Sequence, residues 1–179
     1  MTLVQEHRKV TPTGIERTFG AEEVIVSKTD LIGKITYAND VFCRVAGYSR
    51  NELMGAPHSI VRHPDMPRCV FKLLWDTLAE GKEIFAYVKN MAATGDHYWV
   101  FAHVTPTFDS RGNIIAYHSN RRTPCRSAVT VMEDLYRTLY AIEQKGDRRQ
   151  GMQASFAAVV DLLQSKGVTY DEFIFSITH

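Results

Sequence analysis

Two side chains in the run Arg-His-Pro-Asp-Met-Pro at residues 62–67, those of Arg62 and His63, suit the binding of a phosphate group. Asp65 and Pro67 are typical of the first positions of a helix, so Arg62 and His63 are expected just ahead of a helix start. Free backbone N–H groups at a helix start, together with a nearby cation, favour an anion. The pattern predicts a phosphate contact; the alternative is that Asp65 only caps the helix and pairs with Arg62.

The closeness of His63 and Asp65 also suits acid–base catalysis, but no nucleophile, metal triad or phosphate-loop motif accompanies the pair. Three cysteines, at positions 43, 69 and 125, are widely spaced and form no CxxC pair, which argues against a zinc site or a disulfide framework. We therefore expect neither enzyme activity nor a bound metal.

The composition favours one compact domain with an accessory element. The chain has 179 residues, of which 45% are hydrophobic, and a formal charge of +1 from 21 basic and 20 acidic side chains. This balance gives no electrostatic basis for nucleic-acid binding. The first twenty residues lack the apolar run of a signal peptide, and no stretch approaches the ~20 apolar residues of a membrane span. We expect a cytoplasmic protein without a membrane span.

The elements that must position these residues alternate between strands and helices. Two short β-runs at 24–26 and 33–37 precede small helices, and a longer helix follows Pro67 with apolar residues at helical spacing up to Gly81. Three extended segments at 83–92, 97–108 and 113–122 are joined by short turns. The order predicts an α+β fold: a five-stranded antiparallel sheet with helices on one face.

After Pro124 the apolar residues recur with helical spacing, in two stripes followed by a capping box at Thr169 and Glu172. A tail of this size is too small to fold alone, so its apolar stripes must be buried against another part of the chain. We divide the chain into an N-terminal arm at 1–21, a domain at 22–127 and a helical C-terminal extension at 128–179.

Several motifs in this order resemble the PAS family of sensor domains, over residues 22–127. They are Tyr-Ala-Asn-Asp-Val-Phe at 37–42, Gly-Tyr-Ser at 47–49, Glu-Leu-Met-Gly at 52–55, Leu-Trp-Asp-Thr-Leu at 74–78 and Gly-Asp-His-Tyr-Trp-Val at 95–100. The resemblance implies the PAS fold with a C-terminal helical extension.

Within this family, the run Pro-His-Ser-Ile-Val-Arg-His-Pro-Asp-Met-Pro at 57–67 is similar to the Aer-type aerotaxis sensors. Their PAS module holds FAD noncovalently and reports cellular redox state to a chemoreceptor pathway. Without methyl-accepting or transmembrane segments, the chain is most similar to the bipartite energy-taxis proteins of the CetB type. The resemblance implies an FAD-binding redox sensor that signals in trans to a separate chemoreceptor and is associated through it with the membrane.

The resemblance also implies a set of cofactor contacts. Strand alternation, compared with flavin-binding PAS modules, places Asn90 and Asn120 in one cavity, where an amide donor and acceptor suit the imide edge of a flavin. The alternative is that these amides only close turns or strand ends. The full set of expected cofactor-binding residues is Asn39, Arg62, His63, Asp65, Trp75, Asn90, Tyr98, His118 and Asn120.

Two other functions stay open at this point. One is a haem-binding gas sensor, for which His63 is the best-placed axial ligand. The other is a ligand-free interaction module with a cavity filled by side chains. A light sensor is not expected, because the Asn-Cys-Arg-Phe signature of the LOV family is absent and Cys69 lies in a different motif.

The outer face of the predicted sheet carries Trp99 and Phe101, which point away from the cavity in this register. An exposed aromatic patch on a sheet usually marks an interface. We therefore predict a homodimer through this face or through the helical tail. The alternative is that the tail residues Val129, Leu135 and Leu139 pack on Trp99 within one chain.

Overall fold

The computed structural model describes residues 10–178, and its centre is a five-stranded antiparallel sheet. The spatial strand order is β2-β1-β5-β4-β3, so the first strand lies beside the last one and the second strand is at the edge of the sheet. The prediction of an α+β fold built on five antiparallel strands is confirmed. The strands are β1 (Ile25–Thr29), β2 (Ile35–Ala38), β3 (Ile84–Met91), β4 (His97–Phe108) and β5 (Ile114–Arg122).

The helices between β2 and β3 cover one face of the sheet, which we call the inner face. They are α1 (Asp40–Ala46), α2 (Arg50–Leu53), a 3-10 helix (His58–Val61) and α3 (Arg68–Ala79). A capping box of Ser49 and Glu52 starts α2, and α1 ends at Gly47, whose φ of 71° favours glycine.

Three further helices form the C-terminal extension: α4 (Arg126–Glu143), α5 (Arg148–Lys166) and α6 (Tyr170–Ser176). The expected capping box of Thr169 and Glu172 is present at the start of α6. Residues of α4 and α6, including Met132, Leu139 and Phe173, belong to the same hydrophobic core as the sheet. The apolar stripes of the tail are therefore buried within the chain.

The outer face of the sheet is covered by α4 and α6. Trp99 is only 4% exposed and stacks on Tyr136 of α4, whose hydroxyl donates a hydrogen bond of 2.6 Å to the Tyr87 carbonyl. Phe101 lies against Phe175 of α6. The prediction of a homodimer through exposed Trp99 and Phe101 is wrong for this face, because the chain's own helices bury it.

A one-residue bulge near the β4–β5 turn sets which face each β5 side chain occupies. Phe108 pairs with Ile114, whereas Thr107 pairs with Ala116, so Ile115 is an extra residue in β5. A shift of one residue moves every following side chain to the opposite face of a strand. Beyond the bulge, Arg121 lies opposite Ala102 on the inner face.

The described part of the N-terminal arm, residues 10–21, is held against the β3–β4 turn. Arg17 forms an ion pair of 2.9 Å with Asp96, and the Thr13 N–H donates to the Gly95 carbonyl at 2.9 Å. A β-carbon at Gly95 would lie 2.2 Å from the Thr11 carbonyl oxygen, so the close approach requires glycine. The polar composition of the arm, with Pro12 and Gly14 as breakers, predicts a loosely held segment, and this prediction is wrong for residues 10–21. Residues 1–9 lie outside the described residues.

Candidate functional site

A cavity of about 330 Å³ lies between the inner face of the sheet and the helices above it. Its volume is at the lower end of the range typical of small-molecule sites. The lining is mostly apolar, with a few polar groups from the strands and the 3-10 helix. The strand residues include Ser27, Thr29, Val88, Asn90, Ala102, Val104 and Arg121, and the residues facing them include His58, Arg62, Phe71, Leu74, Trp75 and Leu78.

Arg121 places a buried cation in the cavity wall. Its side chain is 2% exposed, its guanidinium lies 4.4 Å from the Phe42 ring centroid, and it donates a hydrogen bond to the Ser27 hydroxyl. Burial lowers the arginine pKa to about 10. Within residues 10–178 no Asp or Glu forms an ion pair with Arg121, and its Nε has no hydrogen-bond partner. Such a group favours an anionic or acceptor-rich ligand.

His58 and Ser27 accompany Arg121 on the same side of the cavity. The His58 Nε2 atom lies 3.3 Å from the Ser27 hydroxyl and 3.4 Å from Arg121 Nη1. Burial and the neighbouring arginine lower the pKa of His58 to about 3, so its imidazole is neutral at physiological pH. The cluster therefore carries a single positive charge, that of Arg121.

The Asn90 amide faces the cavity from β3, as the sequence predicted. The residue is 4% exposed, and its side chain makes no hydrogen bond to any other residue in the range 10–178. On strand β1, the Thr29 hydroxyl is buried without a hydrogen-bond partner among the same residues. Buried polar groups are nearly always hydrogen-bonded, so unpaired groups in a cavity wall indicate a ligand or ordered water.

Exposed lining residues mark the mouth of the cavity. Trp75 of α3 is 39% exposed and meets Tyr117 edge-on, with 5.4 Å between ring centroids. Across from it, Ile32 in the β1–β2 turn is 77% exposed. Trp75 was predicted as a cofactor contact, and it lies where a ligand would pass from the cavity to solvent.

Arg62, an expected cofactor contact, also lines the cavity. Its guanidinium is 4.3 Å from the Phe71 ring centroid, and it donates a hydrogen bond of 3.3 Å to the Met66 carbonyl. Burial is the main cause that lowers the pKa of Arg62. A second cation is thus available to a ligand in the cavity.

His63 and Asp65 lie outside the cavity lining. His63 is 3% exposed, and its Nδ1 accepts a hydrogen bond of 3.1 Å from the Asp65 backbone N–H. Burial lowers the pKa of His63 to about 4, so the ring is neutral. Because His63 does not line the cavity, it is not placed to ligate a haem there. The Asp65 carboxylate is exposed and lies 3.6 Å from Lys89 Nζ.

The prediction that Asp65 caps α3 is wrong, and a residue of the tail takes that role. The helix begins at Arg68, and the carboxylate of Glu143 accepts the backbone N–H groups of Arg68 and Cys69, each at 3.0 Å. The free N–H groups that were expected to bind a phosphate are thus already paired with a carboxylate. Sequence spacing between neighbours did not reveal a cap that comes from 75 residues away.

Three other predicted contacts do not reach into the cavity. The Asn39 amide caps α1 by accepting the Phe42 N–H at 3.0 Å, and it also bonds β1 through Val26 and Val24. Asn120 lies opposite His103 on the outer face because of the β5 bulge. His118 borders the cavity, but its Nε2 lies 3.1 Å from Asn120 Oδ1 on that outer face.

Tyr98 points to the inner side of the sheet but lies behind the cavity, fully buried, with no hydrogen-bond partner for its hydroxyl within residues 10–178. Burial raises the pKa of its phenol. Ser27, His58 and Arg121 were missed by the sequence analysis. The available signal was the pair Arg121-Arg122, since a strand that holds two adjacent arginines must direct one of them inward.

The described residues contain no helix that is both long and apolar enough to cross a bilayer. Among the same residues, 10–178, no group of three or more His, Cys, Asp or Glu side chains is placed to hold a metal ion.

Comparisons with known proteins agree with the fold. Residues 35–120 match the family described as the PAS fold. The aerotaxis receptor of Escherichia coli strain K12 is 42% identical over 120 residues, which are 67% of this chain and 24% of the receptor. The nitrogen fixation regulatory protein of Klebsiella pneumoniae is 30% identical over 120 residues, 67% of this chain and 23% of that protein.

A solved structure described as "Flavin Analogue Sheds Light on Light-Oxygen-Voltage Domain Mechanism" matches with a TM-score of 0.57 and 16% identity, over 63% of this chain and 85% of that one. The likeness supports the fold. The chain spans about a quarter of the length of the two curated relatives. Together with the strand order, these matches show that this chain is a member of the PAS family, with residues 35–120 inside its PAS domain.

Proposed function

We propose that this PAS domain binds a flavin, in the form of FAD, and acts as a redox sensor for a separate signalling protein. The observation that carries the proposal is the buried Arg121 cation, which faces an open, mostly apolar cavity and has no carboxylate partner among residues 10–178. A buried charge costs several kcal/mol unless it is compensated, so a ligand with an electron-rich edge would stabilise this arrangement.

The residues present fit a flavin. Val88, Leu74 and Leu78 supply apolar walls for a planar ring, and the Asn90 amide supplies one donor and one acceptor for a polar ring edge. Arg121 would hold negative charge on the ring. Arg62 remains as the cation for a phosphate, since Glu143 already occupies the start of α3.

When bound, a flavin takes up electrons and protons reversibly, and the protein tunes that chemistry by hydrogen bonds and charge. Arg121 favours the more negatively charged state of whatever occupies the cavity, and the neutral His58 beside it can accept or donate a hydrogen bond. A change in ligand charge would thus alter the hydrogen bonds of β1 and β5.

The relatives support a role in signalling. One of them is named an aerotaxis receptor and the other a nitrogen fixation regulatory protein. We propose that this chain reports to a chemoreceptor in trans, in the cytoplasm, without enzyme activity of its own. Co-purification with methyl-accepting receptors tests this partnership, and the experiment is done with and without a reductant. The absence of receptors from both samples would contradict the proposal.

Purification of the full chain, followed by release and mass determination of any bound small molecule, tests the cofactor. FAD in near-stoichiometric amount is the expected result. A Soret band with released haem would support a gas sensor instead. Protein that carries no small molecule and binds none on reconstitution with FAD would leave only an interaction module.

A further inference from the structure

We propose that Glu143 is a positioning residue that fastens the C-terminal helices to the cavity wall and thereby couples the shape of the cavity to the docking of the tail. Only the identity of the ligand in this coupling rests on the proposed function. Glu143 is the last residue of α4, and the first turn of α3 is its main partner.

The Glu143 side chain is almost completely enclosed, with 2% exposure. It accepts the backbone N–H groups of Arg68 and Cys69 at 3.0 Å, the Arg68 Nε–H at 3.0 Å and the Ser155 hydroxyl at 2.8 Å. One carboxylate therefore joins three helices: α3, α4 and α5. Hydrogen bonds of this kind, with a charged acceptor, are the stronger ones in proteins.

The corner between α4 and α5 holds these two helices together. A β-carbon on Gly151 of α5 would lie 2.2 Å from the Glu143 carbonyl oxygen, so the two backbones are in close contact at this point. Arg68 also donates to the Glu143 carbonyl, at 3.3 Å. A movement of α4 at Glu143 would therefore move α5 with it.

The same helix that receives Glu143 forms one wall of the cavity. Phe71, Leu74 and Trp75 line the cavity within the two turns after Arg68 and Cys69. A displacement of the α3 start is transmitted along the helix because its backbone hydrogen bonds make it rigid. The position of these three side chains thus depends on whether Glu143 is docked.

Docking through Glu143 is expected to be all-or-none. If α4 moved away, a carboxylate built into the interior would lose its donors, and the free N–H groups of α3 would need new partners. Partial displacement would leave both the carboxylate and the N–H groups without partners. Two discrete positions of α4, docked and undocked, are therefore favoured over a continuous range of positions. Any ligand that prefers one position of the α3 wall would then change tail docking, and docking would change ligand affinity by the same factor.

Hydrogen exchange of the full chain, followed by mass spectrometry without added ligand, tests the proposal. Glu143→Ala and Glu143→Gln are compared with wild type and with Asp134→Asn, a control that removes an exposed carboxylate paired with Arg137 on the same helix. We expect at least about tenfold faster exchange in α5 and in the cavity-lining turn of α3 for Glu143→Ala, a smaller change for Glu143→Gln, and none for the control.

Faster exchange confined to the backbone amides of Arg68 and Cys69 would overturn the proposal, because Glu143 would then be a local cap only. If Glu143→Ala does not fold, Glu143→Gln gives the same comparison with a side chain of equal size. A second experiment repeats the measurement with added FAD. FAD should slow hydrogen exchange in α5 of the wild type, and it should slow that exchange less in Glu143→Gln. Failure of wild type to bind FAD would contradict the proposed function, while the ligand-free comparison would still decide the role of Glu143.

Discussion

Arg121 lies directly opposite Ala102 in the β4–β5 ladder, so that a fully buried guanidinium is attached to the inner face of the sheet. The small side chain of Ala102 leaves room for the cavity beside it. The described residues offer Arg121 a hydroxyl, an imidazole and an aromatic ring but no carboxylate, so its charge has no counter-charge among them.

Replacement of Arg121 by methionine should separate ligand binding from stability. An unpaired buried charge lowers stability, so Arg121→Met should leave the ligand-free protein as stable as wild type or more stable, by up to about 4 kcal/mol. Its flavin content should fall at least about tenfold. Urea unfolding and absorbance of the purified protein measure the two effects. Arg122→Met, at the neighbouring exposed position, is the control; equal flavin loss in both variants would argue against a specific role of Arg121.

The two asparagines of the predicted site should behave differently. Asn90→Ala removes an amide that faces the cavity, and we expect about ten- to a hundredfold weaker flavin binding from the loss of its hydrogen bonds. Asn120→Ala alters the outer face and should leave affinity unchanged. Fluorescence titration with FAD measures both. An affinity loss in Asn120→Ala that matches the loss in Asn90→Ala would contradict the register of β5.

Stability should fall as the solution becomes acidic, because of two neutral histidines, the buried His63 and the partly buried His58. The pKa values of His58 and His63 are lowered by burial to about 3 and about 4. Between the ordinary histidine pKa of about 6.5 and these values, the unfolded chain binds protons that the folded chain does not. The stabilisation is complete above pH 6.5 and is lost as pH falls, at up to about 1.4 kcal/mol per pH unit for each histidine.

Urea unfolding between pH 7 and pH 4.5 measures this dependence. The double variant His58→Gln with His63→Gln should show a flatter dependence of the free energy of unfolding on pH. A slope equal to that of wild type would show that these side chains are not buried in the neutral form.

The packing of α4 on the outer face can be tested at Tyr136. Tyr136→Phe removes the hydrogen bond to the Tyr87 carbonyl and leaves a buried acceptor without its partner, at a cost of about 1–3 kcal/mol. Tyr140→Phe on the same helix is the control, with an expected change below about 0.5 kcal/mol. Equal unfolding free energies for the two variants would mean that α4 does not lie on the sheet in solution.

Local sequence signals predicted the elements well. Apolar spacing and capping boxes located the helices, and the turn residues 94–96 and 109–112 located the β-meander. These features depend on interactions between residues close in the chain. The inward orientation of Asn90 on β3 was implied by strand alternation compared with flavin-binding PAS modules, and the alternation holds because the β3–β4 pairing runs without a break in register.

The errors have non-local causes. The extra residue Ile115 shifts the register of β5, so that each later side chain lies on the opposite face of the sheet from the one predicted. Arg121 therefore lies in the cavity wall where Asn120 was expected. Strand alternation alone does not reveal such a bulge. The cap of α3 comes from Glu143 in a distant helix, so that Asp65, the nearest plausible cap, has no such role. The burial of Trp99 likewise depends on where the tail packs.

The absorption spectrum of the purified full-length chain tests the central claim most directly. We predict flavin absorbance at about 450 nm in wild type that is bleached by a reductant and is absent or weak in Arg121→Met. A spectrum that shows no absorbance at wavelengths longer than the protein band, and that stays the same after incubation with FAD and removal of unbound FAD, would contradict the assignment of this cavity as a flavin site.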